Sequence, residues 1–265
     1  MSDLEKQLNL LKYYICEMCY LANSGHPSSS LSCSDIIGTL YFEIMDISKD
    51  KFILSKGHAV PALYSALMVN NTISKDLINK LREIDSPLQG HPDVSRLPEV
   101  ELTTGALGQG LSFGIGVSLA KRLKKEQGQV YVLVGDGEIQ EGQIWEAVMF
   151  AGNRNLRNLI LFLDNNGGQS DGKVSEIMSL DPLREKFEAF GWDVDEINGH
   201  DSNAIMNTVK SHLDSDSNKP LFVNSNTTKG FINKDTKILD GSHGGVVDEE
   251  TMSLVISKLD IKESI

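Results

Sequence analysis

The hydrophobic pattern of the chain changes near residue 130, from amphipathic helical segments to short apolar runs that alternate with helices. Before that point, apolar residues recur with helical spacing in five segments, 4–21, 34–45, 59–70, 74–83 and 108–126. Beyond it, helices near 141–153, 181–190 and 203–213 separate four β-rich runs, 130–134, 159–163, 192–197 and 221–224. Strands spaced in this way predict a parallel sheet that is covered on both faces.

This alternation favours one domain over two. A chain of 265 residues could form either one large α/β domain or two small ones. No internal repeat, low-complexity tract or linker interrupts the pattern, and the polar stretch 214–219 is typical of a surface loop. We therefore expect a single domain over residues 1–265, with a doubly wound, mostly parallel sheet and helices on both faces.

Charge and composition exclude two classes of partner. The net charge of -12 argues against nucleic-acid binding, because neutralising phosphates requires a basic surface. The longest apolar runs, such as 159–163, are too short to span a bilayer, and the charged N-terminus does not resemble a signal peptide. We expect a cytoplasmic protein that binds neither nucleic acid nor membrane.

The cysteine pattern is typical of a protein in a reducing compartment. Cys16 and Cys19 form a C-x-x-C pattern, but it lies inside a predicted helix, whereas a thioredoxin-like motif follows a strand and opens a helix. We expect these two thiols and Cys33 to be buried and reduced rather than redox-active.

The first candidate chemistry lies where the run 130–134 ends. Gly135-Asp136-Gly137 follows this strand and precedes a helix, which places backbone amides at the carboxyl edge of the sheet, where open α/β folds bind ligands. The glycines permit close approach, and a helix N-terminus favours anions. Asp136 is an anion itself, so a cation is expected between it and a bound diphosphate. Mg²⁺ is commonly held in this way.

A second polar loop follows the next strand. Twenty-seven residues, 138–164, separate the Gly-Asp-Gly triplet from Asn165 and Asn166. If the two strands are neighbours, Asp136 and this asparagine pair converge at one edge. A lone Gly-Asp-Gly is usually only a turn. The same triplet with an asparagine pair after the next strand resembles the motif of thiamine-diphosphate enzymes.

Motifs elsewhere make the chain resemble the N-terminal half of transketolase. The matching stretches are Ser24-Gly25-His26-Pro27, Ser55-Lys56-Gly57-His58-Ala59, Gly90-His91-Pro92, Thr103-Thr104-Gly105-Ala106-Leu107-Gly108-Gln109-Gly110, 135–142, 164–172 and Ser242-His243-Gly244. They occur in the order of the family and cover almost the entire chain.

The resemblance implies a role for each matching position. Mg²⁺, or Ca²⁺ in its place, would be bound by Asp136, Asn166 and the carbonyl of Gly168. The diphosphate would be contacted by the amide of Gly137 and by His58. The aminopyrimidine ring would be lined by backbone groups of Gly105, Ala106 and Leu107. The donor sugar would be surrounded by His26, His91 and His243, of which His243 would also lie near the diphosphate. Glu141 would belong to an acidic relay between two active sites.

The histidines suit this chemistry. Moving a two-carbon ketol unit requires proton transfer to and from sugar hydroxyls near neutral pH, which imidazole can perform. Of the six histidines, His200 is expected to lie in a turn beside a helix N-cap, and His212 to be a solvated helix residue.

The resemblance also implies that the chain is incomplete as a catalyst. In transketolases, the glutamate that activates the cofactor and the arginines that bind the sugar phosphate lie in later domains. We therefore expect the N-terminal subunit of a split transketolase. Its partner would be a complementary C-terminal, pyrimidine-binding subunit, in an α2β2 assembly that acts on sugar phosphates.

The chain departs from the family pattern at several positions. Ser28 replaces a glycine after His-Pro, and Ala106 stands where proline or serine is common. Gly167-Gly168 lacks the usual larger apolar side chain, and the residues after His243 differ from the usual tail. These changes predict either a specialised substrate or weaker cofactor binding.

Three alternatives remain open. The α subunit of a 2-oxo acid dehydrogenase shares the Gly-Asp-Gly and asparagine signature, but the histidine set and residues 103–110 favour transketolase. A 1-deoxyxylulose-phosphate synthase is close kin, but residues 55–59 fit transketolase better. The third alternative is a non-catalytic scaffold that only stabilises a partner. The presence of Asp136, Glu141, Asn166 and His58 argues against it.

Overall fold

The computed structural model describes residues 1–239, 245–259 and 261. The α-helices are α1 Asp3–Leu21, α2 Pro27–Ser32, α3 Ser34–Thr39, α4 Val60–Val69, α5 Gln109–Lys124, α6 Gly142–Asn153, α7 Val174–Ile177, α8 Leu183–Ala189, α9 Ser202–Asp214 and α10 Glu249–Leu259. The strands are β1 Lys51–Leu54, β2 Val130–Gly135, β3 Leu159–Asn165, β4 Gly168–Gln169, β5 Gly172–Lys173, β6 Asp193–Asn198, β7 Leu221–Asn226, β8 Phe231–Asn233 and β9 Thr236–Lys237. His243 lies outside the described residues.

The chain divides into two compact units. The first unit comprises Met1–Ile44, His58–Thr103 and Thr227–Ile265, and the second comprises Met45–Gly57 and Thr104–Asn226. The single domain expected over residues 1–265 stays a prediction.

A parallel five-stranded sheet, in the order β1-β2-β3-β7-β6, forms the centre of the second unit. The runs 130–134 and 159–163 are at most 1% exposed. Such continuous apolar strands are stable only where both faces of the sheet are covered. The predicted α/β fold with a parallel sheet is therefore confirmed.

The first unit is built around α1. Its N-terminus is closed by a capping box, in which the Glu5 amide donates to the Ser2 hydroxyl and the Ser2 amide donates to the Glu5 carboxylate. The helix packs on α3, α4 and α10. Within this packing, the Lys12 ammonium lies 2.8 Å from the Asp35 carboxylate and donates to the carbonyl of Ile232 at 3.1 Å. The buried charge is thus both paired and hydrogen-bonded.

Several elements differ from the sequence-based prediction. The edge strand β1 was not predicted, because four residues are too few to show periodicity. The segment 34–45 is α-helical only to Thr39 and continues as a π-helical turn, Leu40–Ile44. The segment 74–83 forms only a 3-10 helix, Lys75–Lys80, with Ser74 at the N-cap accepting from the Asp76 amide. The helices α2 and α10 were also not predicted. No helix in the described ranges is long and apolar enough to cross a membrane.

The cysteines follow the prediction, whereas His212 does not. All three cysteines are buried and outside any disulfide in the described part of the chain, and burial raises the pKa of Cys19 to about 12. His212 was expected to be solvated, but it is only 5% exposed. Its Nε2 lies 3.1 Å from the carbonyl of Arg157, and burial lowers its pKa. The helical spacing of His212 with Ile205 and Val209, both buried on α9, could have indicated this position.

Candidate active site

Both polar loops of the predicted diphosphate site lie at one edge of the sheet in the second unit. The strands β2 and β3 are parallel neighbours, and Gly135 is in register with Asp164. Both apolar runs therefore end together, and the residues that follow them meet at the carboxyl edge. This is the convergence that the spacing of the two loops predicts.

Asp136 connects the two loops directly. Its Oδ1 accepts from the amide of Gly137 at 2.8 Å, and its Oδ2 accepts from the amide of Gly167 at 2.6 Å. Burial, followed by the charge of Asp164, raises the pKa of the Asp136 carboxyl to about 6, although Lys56 and the two amides lower it. A nearby cation would stabilise the ionised form of this carboxylate.

Asn166 provides a second oxygen donor in the same loop. Its Oδ1 accepts from the amide of Gly168 at 3.1 Å, and its Nδ2 donates to Asp164 at 3.0 Å. In the described part of the chain, no group of three or more His, Cys, Asp or Glu side chains could hold a metal ion. The metal ligands predicted from the sequence are of a different type: one carboxylate, one amide oxygen and one backbone carbonyl. These hard oxygen donors fit Mg²⁺ when phosphate oxygens complete its coordination.

Two positions of these loops favour glycine. A Cβ on Gly137 would lie 2.8 Å from the Cβ of Gln169, so the loops could not approach each other with a larger residue there. Gly167 has a φ of +76°, which favours glycine. Glycine at position 167 therefore suits the local backbone.

The segment predicted to line the aminopyrimidine ring precedes α5. Gly105 has a φ of +143°, and Ala106 and Leu107 are exposed. The Leu107 carbonyl accepts from Nε2 of Gln143 at 2.8 Å, which ties the segment to α6. This hydrogen bond holds the turn that carries Ala106 and Leu107. The contact of their backbone groups with the aminopyrimidine ring stays a prediction.

Two buried charged residues that were not predicted support these loops. Lys56 forms a buried ion pair with Asp164. Glu138, which is 2% exposed, joins three segments: its Oε1 accepts from the Ser55 hydroxyl and from the Gly108 amide at 2.8 Å, and its Oε2 accepts from the Gly135 amide at 3.1 Å. Burial raises the pKa of Glu138, although these hydrogen bonds and Lys56 lower it. The Gly-Asp-Gly loop and the start of α5 are therefore held by one side chain.

Replacing Glu138 with glutamine is expected to destabilise the chain by about 1.5–3 kcal/mol, the usual worth of a hydrogen bond to a charged group. Glutamine offers only one acceptor oxygen, so its amide group would face an N–H donor at the other position. Urea unfolding would measure the change. Glu146→Gln, at an exposed position on α6, is the matched control and should leave stability almost unchanged. Equal stabilities of the two variants would contradict the role given to Glu138.

Glu141 lies apart from these buried contacts. It is exposed and occupies the N-cap position of α6. An exposed position is compatible with contact to another subunit, and the predicted relay role stays a prediction.

The first unit brings three of the predicted histidines into one region. The rings of His26 and His58 are in edge contact, with centroids 5.4 Å apart. The loop that carries His91 is held by Tyr64, whose hydroxyl lies 3.2 Å from the carbonyl of Gln89 and 3.4 Å from that of His91. Desolvation, followed by the charge of Arg82, lowers the pKa of His91. Arg82 was not predicted.

Comparison with known proteins identifies the family of this chain. The family described as the transketolase thiamine diphosphate binding domain matches residues 5–264. The chain belongs to this family.

Two relatives of similar length are transketolase subunits. One is an apulose-4-phosphate transketolase subunit from Phocaeicola vulgatus, which is 40% identical over 237 residues, 86% of this chain and 84% of the relative. The other is the 6-deoxy-6-sulfo-D-fructose transketolase subunit SqwG from a Clostridium species, which is 37% identical over 269 residues, 97% of this chain and 96% of the relative. The predicted likeness to the N-terminal subunit of a split transketolase is confirmed.

A solved structure supports the same assignment. Transketolase from Campylobacter jejuni superposes with a TM-score of 0.90 at 30% identity, covering 100% of this chain and 44% of that enzyme. The chain therefore spans less than half of the length of the solved transketolase.

Proposed function

We propose that this chain, together with a separate C-terminal subunit, transfers a two-carbon ketol unit from a ketose to an aldose, with sugar phosphates as substrates. The observation that carries the proposal is the convergence of Asp136 and the Asn166 loop at the carboxyl edge of the sheet. Family membership and the two subunit relatives support it. No observation favours the 2-oxo acid dehydrogenase or the scaffold.

The second unit would hold the metal and the diphosphate. Asp136, Asn166 and the carbonyl of Gly168 would bind Mg²⁺, and the amide of Gly137 would contact the diphosphate. When bound, thiamine diphosphate supplies the electron sink for breaking a carbon–carbon bond. The residues of the chain would anchor it beside the buried ion pair of Lys56 and Asp164.

The histidines of the first unit would carry the proton chemistry. His26 and His91, with His243, would donate to or accept from sugar hydroxyls, and His58 would contact the diphosphate. The lowered pKa of His91 supports this role, because a neutral imidazole can accept a proton near neutral pH.

Contact with other subunits, as in an α2β2 assembly, is supported by exposed apolar side chains on α6, on α5 and just before α5. Leu107, Phe113, Met149 and Phe150, at the start of α5 and on α5 and α6, are 36–55% exposed. Apolar surface of this kind is typical of positions that another subunit covers. The three buried cysteines, which form no disulfide in the described residues, support a location in the cytoplasm, where cysteines stay reduced.

The purified chain alone is expected to show no ketol transfer, and the mixture with its complementary subunit is expected to show full activity. The physical reason is that the group activating the cofactor is supplied by the other subunit. Transfer from a ketose phosphate to an aldose phosphate, with Mg²⁺ and thiamine diphosphate present, would be followed by product formation. Full activity without a partner would overturn the split-enzyme proposal, and no activity in the mixture would overturn ketol transfer.

A further inference from the structure

Arg82 has an unusual backbone that fixes the start of its side chain. Its φ is +62°, in the left-handed region that non-glycine residues rarely adopt. Its amide donates to the carbonyl of Leu88 at 2.8 Å, which closes the turn between them. A strained conformation held by its surroundings is more common at functional positions than elsewhere.

Two polar contacts orient the guanidinium group of the exposed Arg82 side chain. Its Nη1 donates to the Ser24 hydroxyl at 2.6 Å, and its Nη2 lies 3.4 Å from Nδ1 of His26. The guanidinium also packs against the neighbouring loop, where a Cβ on Gly90 would lie 2.8 Å from Nε of Arg82. The cation is therefore held beside His26 by residues from two motifs, 24–27 and 90–92.

The guanidinium group limits which protonation state of the His26 ring is favourable. Arginine stays charged and can only donate hydrogen bonds. Its contact with Nδ1 of His26 is therefore favourable only when Nδ1 carries a lone pair. In the neutral ring the proton must then lie on Nε2, and a second positive charge on the imidazole is disfavoured by the adjacent cation.

We propose that Arg82 is a positioning residue that keeps His26 neutral, with its proton on Nε2. This inference rests on the proposed function, in which His26 acts on sugar hydroxyls. With Nε2 protonated, His26 is a hydrogen-bond donor to a substrate oxygen, and it has a fixed ring orientation. A lysine at position 82 would keep the charge but lacks the planar fork that reaches two acceptors.

The test is NMR spectroscopy of the ¹⁵N-labelled full chain, in which long-range ¹H–¹⁵N correlations show which ring nitrogen of each histidine carries the proton. His26→Gln assigns the His26 signals. We expect the Nε2–H tautomer in the parent chain. Arg82→Met is expected to shift His26 toward a mixture of tautomers, and Arg82→Lys to give an intermediate result. An unchanged His26 tautomer in a folded Arg82→Met chain would overturn the proposal.

Two further variants strengthen the test. Arg96→Met, at an arginine of the first unit that lies 3.8 Å from Asp85 and Asp93, is the matched control and should leave the His26 signals unchanged. Ser24→Ala keeps Arg82 but removes its anchor, so it tests the proposal even if Arg82→Met does not fold. We expect Ser24→Ala to shift His26 in the same direction as Arg82→Met. A shift caused by Arg96→Met, or none caused by Ser24→Ala, would contradict the proposal.

Kinetics of the reconstituted complex separate this inference from the proposed function. Arg82→Met should lower kcat about tenfold or more through misplacement of His26, with a smaller effect on the KM of the donor sugar. If the His26 tautomer depends on Arg82 but the reconstituted complex shows no ketol transfer, the proposed function is refuted and the role of Arg82 stands. Normal kcat together with an unchanged tautomer would refute the role of Arg82 alone.

Discussion

Replacing Asp136 with alanine is expected to abolish magnesium-dependent binding of thiamine diphosphate, while the fold of the chain is largely kept. Asp136 is the only carboxylate in the predicted metal-ligand set, and no remaining group of that set carries a negative charge to hold Mg²⁺ against the diphosphate. The ketol transfer rate of the reconstituted complex should fall by more than about 10²–10³-fold, the usual cost of removing one charge-stabilising group.

Calorimetric titration of the reconstituted complex with thiamine diphosphate, with and without Mg²⁺, would measure this effect. Asp171→Ala, at an exposed acidic position in the turn between β4 and β5, is the matched control and should bind thiamine diphosphate as the parent does. Circular dichroism would verify that the fold is kept. If the Asp136 variant bound the cofactor as tightly as the parent, the metal assignment would be wrong.

The parts of the fold that could be predicted are those with a strong local signal. The runs 130–134 and 159–163 are continuous and apolar because both faces of the sheet are covered, so they appear in the sequence as strands. The edge strand β1, with the sequence Lys-Phe-Ile-Leu, carries no such signal. Its strand conformation depends on pairing with β2, which is a contact distant in sequence.

The same distinction, between residues with a local sequence signal and residues without one, applies to the candidate site. Asp136 and Asn166 could be predicted because each follows an apolar run and because their spacing is that of a known motif. Lys56 and Glu138 could not, since a charged residue in a polar motif gives no local sign that it is buried. Only the tertiary structure shows that Glu138 accepts from segments about 30 and 80 residues away. Such buried charges require partners that the local sequence does not specify.

Lys56→Met is expected to destabilise the chain by about 3–5 kcal/mol, because it leaves the carboxylate of Asp164 buried without its cation. Lys56 is 1% exposed and Asp164 is fully buried, so water cannot replace the lost partner. Methionine has a similar volume, which limits the contribution of an empty cavity. Urea unfolding, with the slope m unchanged, would give the difference in the free energy of unfolding.

The double variant Lys56→Met/Asp164→Asn separates the loss of the charge pair from the loss of packing. Asparagine removes the uncompensated charge and still offers an oxygen to Nδ2 of Asn166, which donates to Asp164 at 3.0 Å in the parent chain. The double variant is therefore expected to be more stable than Lys56→Met alone. Lys173→Met, which breaks an exposed pair with Glu176, is the control and should change little. If the double variant were as unstable as Lys56→Met, the cost would come from packing, and the buried charge would not be what Lys56 stabilises.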